Sequence, residues 1–183
     1  PLKISIFVFV KKLVGADLQR LSVSEFKTTK KWPFVVVLDN VRSMNNVGSI
    51  MRSSDAFLCQ EILLCGITAT PPHREITKTA IGAENSVNWK YCERTIDAVN
   101  ELKKNGFAVF AIEQTSNSVF LQDVQFSDES VAFVFGNEID GVDAEVIALC
   151  DGVIEIPQLG TKHSFNIAVS CGMVLWEYAR TRV

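Results

Sequence analysis

Three short stretches of this 183-residue chain combine glycine with amides, hydroxyls and charged side chains at spacings that suit chemistry. Asn46 to Arg52 (NVGSIMR) offers an amide, a glycine that lets backbone come close to a ligand, and a guanidinium suited to phosphate. Phe135 to Gly141 (FGNEIDG) places Glu138 and Asp140 between two glycines. This is not the G-x-G-x-x-G pattern, and a pyrophosphate would sit poorly beside two carboxylates, whereas a cation or a sugar hydroxyl tolerates them. Ile154 to Ser170 (IEIPQLGTKHSFNIAVS) leads from a strand through a polar loop into an apolar helix, with Ser164 and Asn166 at the junction. Each stretch alone also reads as an ordinary turn or helix cap.

The elements that must position these loops alternate. Phe34 to Asp39 (FVVVLD) is a continuous apolar run of strand length, suited to burial on both faces. A helix from about Gly48, capped by Asn46, follows it, and places Arg52 about one turn inside. Further strands are expected over 61–65, 87–92, 107–112, 131–135 and 153–156. Helices are expected near 75–81, over 95–104 with Asn105 and Gly106 as a stop, over 143–150, and from Ser164, as N-cap, to Thr181. Such alternation predicts an α/β fold with a mostly parallel sheet flanked by helices, whose ligand sits beyond the carboxyl ends of the strands. Ser22 and Glu25 have capping-box spacing, and predict a short Lys-rich helix ending near Lys31. Pro1 to Val10 reads as an edge strand, too short to span a membrane. A start at Pro1 rather than Met points to a chain that is trimmed or incompletely represented. The organisation expected is an N-terminal extension over 1–32, a strand plus a short basic helix, and a single domain over 33–183.

Composition narrows the function classes. Hydrophobic residues make up 48% of the chain and charged residues 21%, which excludes disorder. The net charge of -3 hides an asymmetry: residues 1–52 carry 9 Lys/Arg against 3 Asp/Glu, and the remainder 9 against 18. One basic face can therefore meet phosphates while the acidic remainder limits non-specific adhesion. Lys11, Lys12, Arg20, Lys27, Lys30, Lys31 and Arg42, within 11–42, form a candidate RNA-facing extension, or simply a solvated helix. The five cysteines are scattered and never spaced as C-x-x-C, so neither a disulfide framework nor a zinc site is suggested, which fits a reducing cytoplasm. His73 and His163 lack an orienting carboxylate at a telling position, and no metal is implied.

In this order, N-x-G-x-x-x-R, strand-G-N-E-x-x-G and I-P-x-x-G-x-x-x-S-x-N-x-x-x-S, the three stretches closely resemble the motifs of the SpoU (TrmH-like) RNA ribose 2′-O-methyltransferases of the SPOUT superfamily, over roughly residues 34–180. The resemblance implies a SPOUT-type α/β knot, a deep C-terminal trefoil in which the threaded segment brings the second and third loops together around S-adenosyl-L-methionine. It assigns backbone atoms around Gly136, Asn137, Ile156 and Phe165 to the cofactor, with Glu113 as a further candidate, and Asn46, Arg52, Glu138, Ser164 and Asn166 to the ribose and its reaction. It also implies a homodimer with the site beside the interface, and so a reason for an apolar last helix. Gln158 stands where Met is common and Phe165 where Leu is common.

The family's arginine is proposed to act as a general base. A guanidinium with a pKa above about 12 is a poor one, so Arg52 is expected to hold an RNA phosphate and stabilise the developing oxyanion. The activity expected is methyl transfer to a ribose 2′-hydroxyl of RNA. No separate RNA-binding domain and no basic tail are seen, which favours tRNA over rRNA. The rival readings are a catalytically inactive RNA-binding relative and a nucleotide-dependent oxidoreductase.

Overall fold

The structure, a computed structural model, describes residues 12–126, 130–180 and 182. The edge strand expected over Pro1 to Val10, like Lys11 and Thr181, lies outside them. In chain order the elements are α1 (Val23–Thr28), β1 (Trp32–Asp39), α2 (Met44–Ala56), β2 (Cys59–Cys65), α3 (Arg74–Ala80), α4 (Ala83–Ser86), β3 (Trp89–Cys92), α5 (Thr95–Lys104), β4 (Ala108–Ile112), β5 (Val119–Phe120), β6 (Val131–Phe135), α6 (Ala144–Leu149), β7 (Gly152–Glu155) and α7 (Ile167–Ala179). Among the described residues seven strands form one sheet in the order β3-β2-β1-β6-β4-β7-β5, and every pairing is parallel.

Strand β1 shows why the sheet needs helices on both faces. Its residues from Phe34 to Asp39 are all buried, and successive side chains point to opposite sides. Phe34, Val36 and Leu38 pack into a core with Ile50 and Met51 of α2, Ile76 of α3 and Val174, Leu175 and Tyr178 of α7. Val35 and Val37 join Ala98, Val99 and Leu102 of α5 and Val146 of α6 on the other face. The Tyr178 ring seats α7 against the sheet, with its centroid 5.0 Å from that of Phe34 and 6.0 Å from that of Phe133. No described helix is long and apolar enough to cross a membrane.

The chain runs outward through β1, β2 and β3, then crosses to β4, and β6 later enters between β1 and β4. At such a change of direction a crevice opens beyond the carboxyl ends of the strands. Polar bonds fix the strand ends there. Asp39, only 2% exposed, accepts hydrogen bonds from Thr95 Oγ1 at 2.5 Å, Asn40 Nδ2 at 3.0 Å and the Asp143 amide at 2.9 Å. It joins the end of β1 to the starts of α5 and α6. The buried Thr68 hydroxyl accepts from the Val41 amide and donates to the Leu38 carbonyl, holding the turn that leads into α2.

Several boundaries differ from expectation. Ser43, not Asn46, caps α2, because its hydroxyl accepts the Asn46 amide at 3.3 Å, and the helix starts at Met44. Arg52 is therefore more than two turns inside. Gly48 lies within the helix rather than beside a ligand: a Cβ there would stand 2.2 Å from Thr79 Oγ1 and 2.3 Å from the Ile76 carbonyl, so the glycine lets α2 and α3 touch. Asn166, not Ser164, caps α7 by accepting the Ala168 amide. The capping box of Ser22 and Glu25 is formed, but α1 ends at Thr28 rather than near Lys31. Trp32 and Pro33 belong to β1, and the short α4 and β5 had no counterpart in the sequence reading.

Asp39 is the test of this junction. Replacing it with Ala strands the Thr95 hydroxyl and the Asp143 amide, and should lower stability by about 2–4 kcal/mol in urea unfolding; a loss under about 0.5 kcal/mol would remove Asp39 from the framework of the crevice.

Candidate functional site

The loop after β6 is closed on itself. Asn137 and Gly141 exchange both backbone hydrogen bonds, each 3.1 Å, and Asn137 Oδ1 accepts the amides of Ile139 and Asp140 at 2.8 Å. Gly136 permits this closure, since a Cβ on it would lie 1.9 Å from the Gly141 carbonyl carbon. Glu113, just past the end of β4, fastens the loop from below: its carboxylate accepts the Gln114 amide at 2.8 Å and the Val142 amide at 3.2 Å. The result is a rigid turn that holds Glu138 out toward the start of α2.

There Glu138 meets the first loop. Oε2 accepts the Arg42 amide at 3.1 Å, and Oε1 accepts the Ser43 amide at 3.2 Å and Asn46 Nδ2 at 2.9 Å. An anion at a helix N-terminus also complements the helix dipole. Asn46 Oδ1 in turn accepts Asn166 Nδ2 at 3.1 Å, and Asn166 Oδ1 caps α7. One chain of hydrogen bonds thus runs Glu138, Asn46, Asn166 and joins all three loops. Partial burial pushes the Glu138 carboxyl upward, but the bonds from Asn46, Arg42 and Ser43 outweigh it, and the pKa falls below the usual carboxylate value.

Behind this chain lies a cleft of about 740 Å³ at the carboxyl ends of β4, β6 and β7. All of Glu113, Gly136, Asn137, Ile156 and Phe165 line it, as do Glu138, Ser164 and Asn166. Ile112, Phe135, Val142 and Ile167 supply apolar wall, Glu113, Glu138 and Asp140 the charge, and no lysine or arginine is among the lining residues. That volume suits one small organic ligand, and the charge favours a cation over a pyrophosphate. Backbone amides engage both carboxylate oxygens of Glu113. Among the described residues no cluster of three or more His, Cys, Asp or Glu side chains is placed to hold a metal.

Arg52 stands apart. It is exposed on α2, six residues from Asn46, so it lies about 9 Å further along the helix axis and about 120° round it. It joins neither the hydrogen-bond chain nor the lining of the cleft. Asn166 is exposed and finds a polar partner in Asn46. Sequence reasoning missed Ser43, Asp39, and the pair Gln114 and Gln158, whose amides both donate to the His163 carbonyl, at 2.7 and 3.4 Å. Only Gln158 had drawn notice, as a departure from a common Met. His73 caps α3 by accepting the Glu75 amide at Nδ1.

Comparison with known proteins adds an independent line. A profile of the SpoU rRNA Methylase family matches residues 33–176. The 23S rRNA (guanosine-2′-O-)-methyltransferase RlmB of Neisseria meningitidis serogroup B is 30% identical over 151 residues, covering 82% of this chain and 60% of the relative. The tRNA (guanosine(18)-2′-O)-methyltransferase of Thermus thermophilus is 29% identical over 167 residues, covering 91% and 84%. Among solved structures, the AdoMet-bound rRNA methyltransferase of Sinorhizobium meliloti superposes with a TM-score of 0.78 at 27% identity, over 84% of this chain and 58% of that one. The A. aeolicus TrmH/SpoU tRNA modifying enzyme gives 0.78 at 25% identity, over 87% and 80%. The chain thus spans less than two thirds of some relatives and most of others.

The acid behaviour of the site follows from Glu138. A carboxyl whose folded pKa is depressed contributes stability that is present above its unfolded value, 4.5, and is lost as pH falls through the folded value. Glu138→Ala should cost about 1 kcal/mol near neutrality, the partial exposure of the carboxylate limiting the effect, and the gap from the parent should close as pH drops below 4.5. Thermal melts of both proteins from neutrality down to acid pH measure it. A gap that widens in acid would mean that the carboxylate is not what these amides hold.

Proposed function

The chain belongs to the SpoU rRNA methylase family, and on that premise we propose that it transfers the methyl group of S-adenosylmethionine to a ribose 2′-hydroxyl of RNA. The observation that carries the reading is the hydrogen-bond chain from Glu138 through Asn46 to Asn166, which joins the three motif loops at the mouth of a cleft of about 740 Å³. The cleft fits the cofactor: its volume is ample, its apolar walls suit an adenine, and its carboxylates suit a sulfonium. Gly136, Asn137, Ile156 and Phe165 would hold it, with Glu113 keeping the loop beneath in shape. When bound, the cofactor supplies an activated methyl group.

The protein's share of the chemistry is positioning. Ser164 and Asn166 orient the ribose, and Asn46 holds the Asn166 amide in place through its own side-chain oxygen. Glu138 fixes Asn46 and the start of α2. Held in line with the methyl group, the 2′-oxygen takes it while its proton passes to the RNA phosphate or to a water. The Arg52 guanidinium binds an RNA phosphate and stabilises negative charge on the approaching oxygen. Its place outside the cleft fits a contact with the RNA rather than with the cofactor.

Other features support the remaining parts of the reading. Val169 and Trp176 on α7 are 48% and 53% exposed, which suits a homodimer interface along that helix. The meeting of the second and third loops at one cleft is what a knotted, threaded C-terminal segment would produce. Residues 1–32 are read as an N-terminal extension and residues 11–42 as the RNA-facing stretch, and the five free thiols suit the cytoplasm. tRNA is preferred as substrate, since the match to the Thermus tRNA enzyme takes in 91% of this chain and that to RlmB 82%.

Incubation with S-adenosylmethionine and, separately, total tRNA and rRNA, followed by mapping of 2′-O-methylation, tests the activity and chooses the substrate. Cofactor binding without transfer to either would favour an inactive RNA-binding relative. Arg52→Ala should lower transfer by about 10²–10³ with cofactor affinity nearly unchanged; a fully active variant would remove Arg52 from the reaction.

A further inference from the structure

The loop that carries Ser164 is held by very little. Within the 157–165 loop, residues 159–165 are all exposed and have no regular secondary structure, and Leu159, at 101% exposed, anchors nothing. Among the described residues two hydrogen bonds are made to it, and both end on one atom, the His163 carbonyl. Gln114 Nε2 donates at 2.7 Å and Gln158 Nε2 at 3.4 Å. Only the first comes from outside the loop, and its acceptor immediately precedes Ser164.

Gln114 is itself well placed to act as a fixed point. It follows Glu113 at the end of β4, and its backbone amide is held at 2.8 Å by the same carboxylate that fastens the 136–141 loop. One dipeptide therefore ties the second loop with its first residue and the third loop with its second. A carbonyl accepts only, so the side chain at 114 must be a donor; a carboxylate of equal length would repel it. Gln114, Gln158 and His163 all line the cleft.

We infer that Gln114 is a positioning residue for the proposed ribose and cofactor site: its amide latches the 157–165 loop through the His163 carbonyl and so sets where Ser164 and Phe165 stand. Gln158, at the longer distance, steadies the same carbonyl from within the loop. The inference rests on the family reading for the role of Ser164, but not for the latch itself. One neutral hydrogen bond changes the balance between latched and released loop by roughly fivefold, and a ligand that needs the latched form loses affinity by the smaller fall in the latched fraction.

Lys162 makes the loop state measurable, because it is exposed within the loop and trypsin cuts after it. The full chain and its Gln114→Ala, Gln114→Glu and Gln158→Met variants are compared by initial rate of cleavage after Lys162, by melting temperature, and by calorimetric affinity for S-adenosylmethionine. Gln114→Ala and Gln114→Glu should speed that cleavage by roughly fivefold and weaken the cofactor by a smaller factor, with an unchanged melting temperature. Gln158→Met should change both less. Equal cleavage in the parent and in Gln114→Ala would overturn the latch, as would equal acceleration after Lys104, which signals general loosening. If the parent binds no S-adenosylmethionine while the Gln114 variants still speed cleavage after Lys162, the latch stands and the proposed activity falls.

Discussion

A side-chain amide, Asn46, sits between a carboxylate 92 residues further on and a second amide 120 residues further on, and takes a hydrogen bond in each direction. Its Nδ2 can only donate and its Oδ1 only accept, so Glu138 must be on one side and the Asn166 amino group on the other. Nothing else among the described contacts ties the three loops together in one line. The turn over 136–141, the start of α2 and the cap of α7 all take their positions from it. Aspartate at 46 would present an acceptor to Glu138, and two carboxylates at that distance repel.

A second tier of polar bonds keeps this line in register with the sheet. Asp39 binds the ends of β1, α5 and α6 into one buried knot of hydrogen bonds, and Glu113 does the same for β4 and the second loop. Both acids accept backbone amides. The cleft is walled by acidic, neutral polar and apolar side chains, with no lysine or arginine among them. Cations are left to the outer surface, where Arg42 and Arg52 lie exposed. That division separates a place for a cationic small molecule from a place for a polyanion.

Much of the framework was legible because it obeys local rules. The apolar run over 131–135 is β6 to the residue, 95–104 is α5 to the residue, and the capping box at Ser22 is formed. The errors arose where several residues competed for one role. Ser43, Asn45 and Asn46 can all cap a helix, and Gly48 read as the turn preceding one; the glycine is instead required by Thr79 on a neighbouring helix, which no local pattern reveals. Ser164 and Asn166 present the same ambiguity two residues apart, and the side chain that reaches the Ala168 amide takes the cap. Motif order singled out Asn46, Glu138 and Asn166, which the structure brings into contact. It carried no information on direction along a helix, so the separation of Arg52 from the others emerged only with the geometry. Gln114 gave no signal, since a lone glutamine after a strand looks like any surface residue.

The long reach of the Asn46 contacts also bears on how the molecule comes into being. Local helices and the first parallel strands can form while the chain is still being made, but Asn46 has no partner until Glu138 and then Asn166 have been synthesised. Contacts so distant along the chain pay their loop-closure entropy late, and folds rich in them acquire their native pairings slowly. The site is thus the last part of the domain to mature, and a nascent chain that lacks α7 has its sheet neighbours but no working centre.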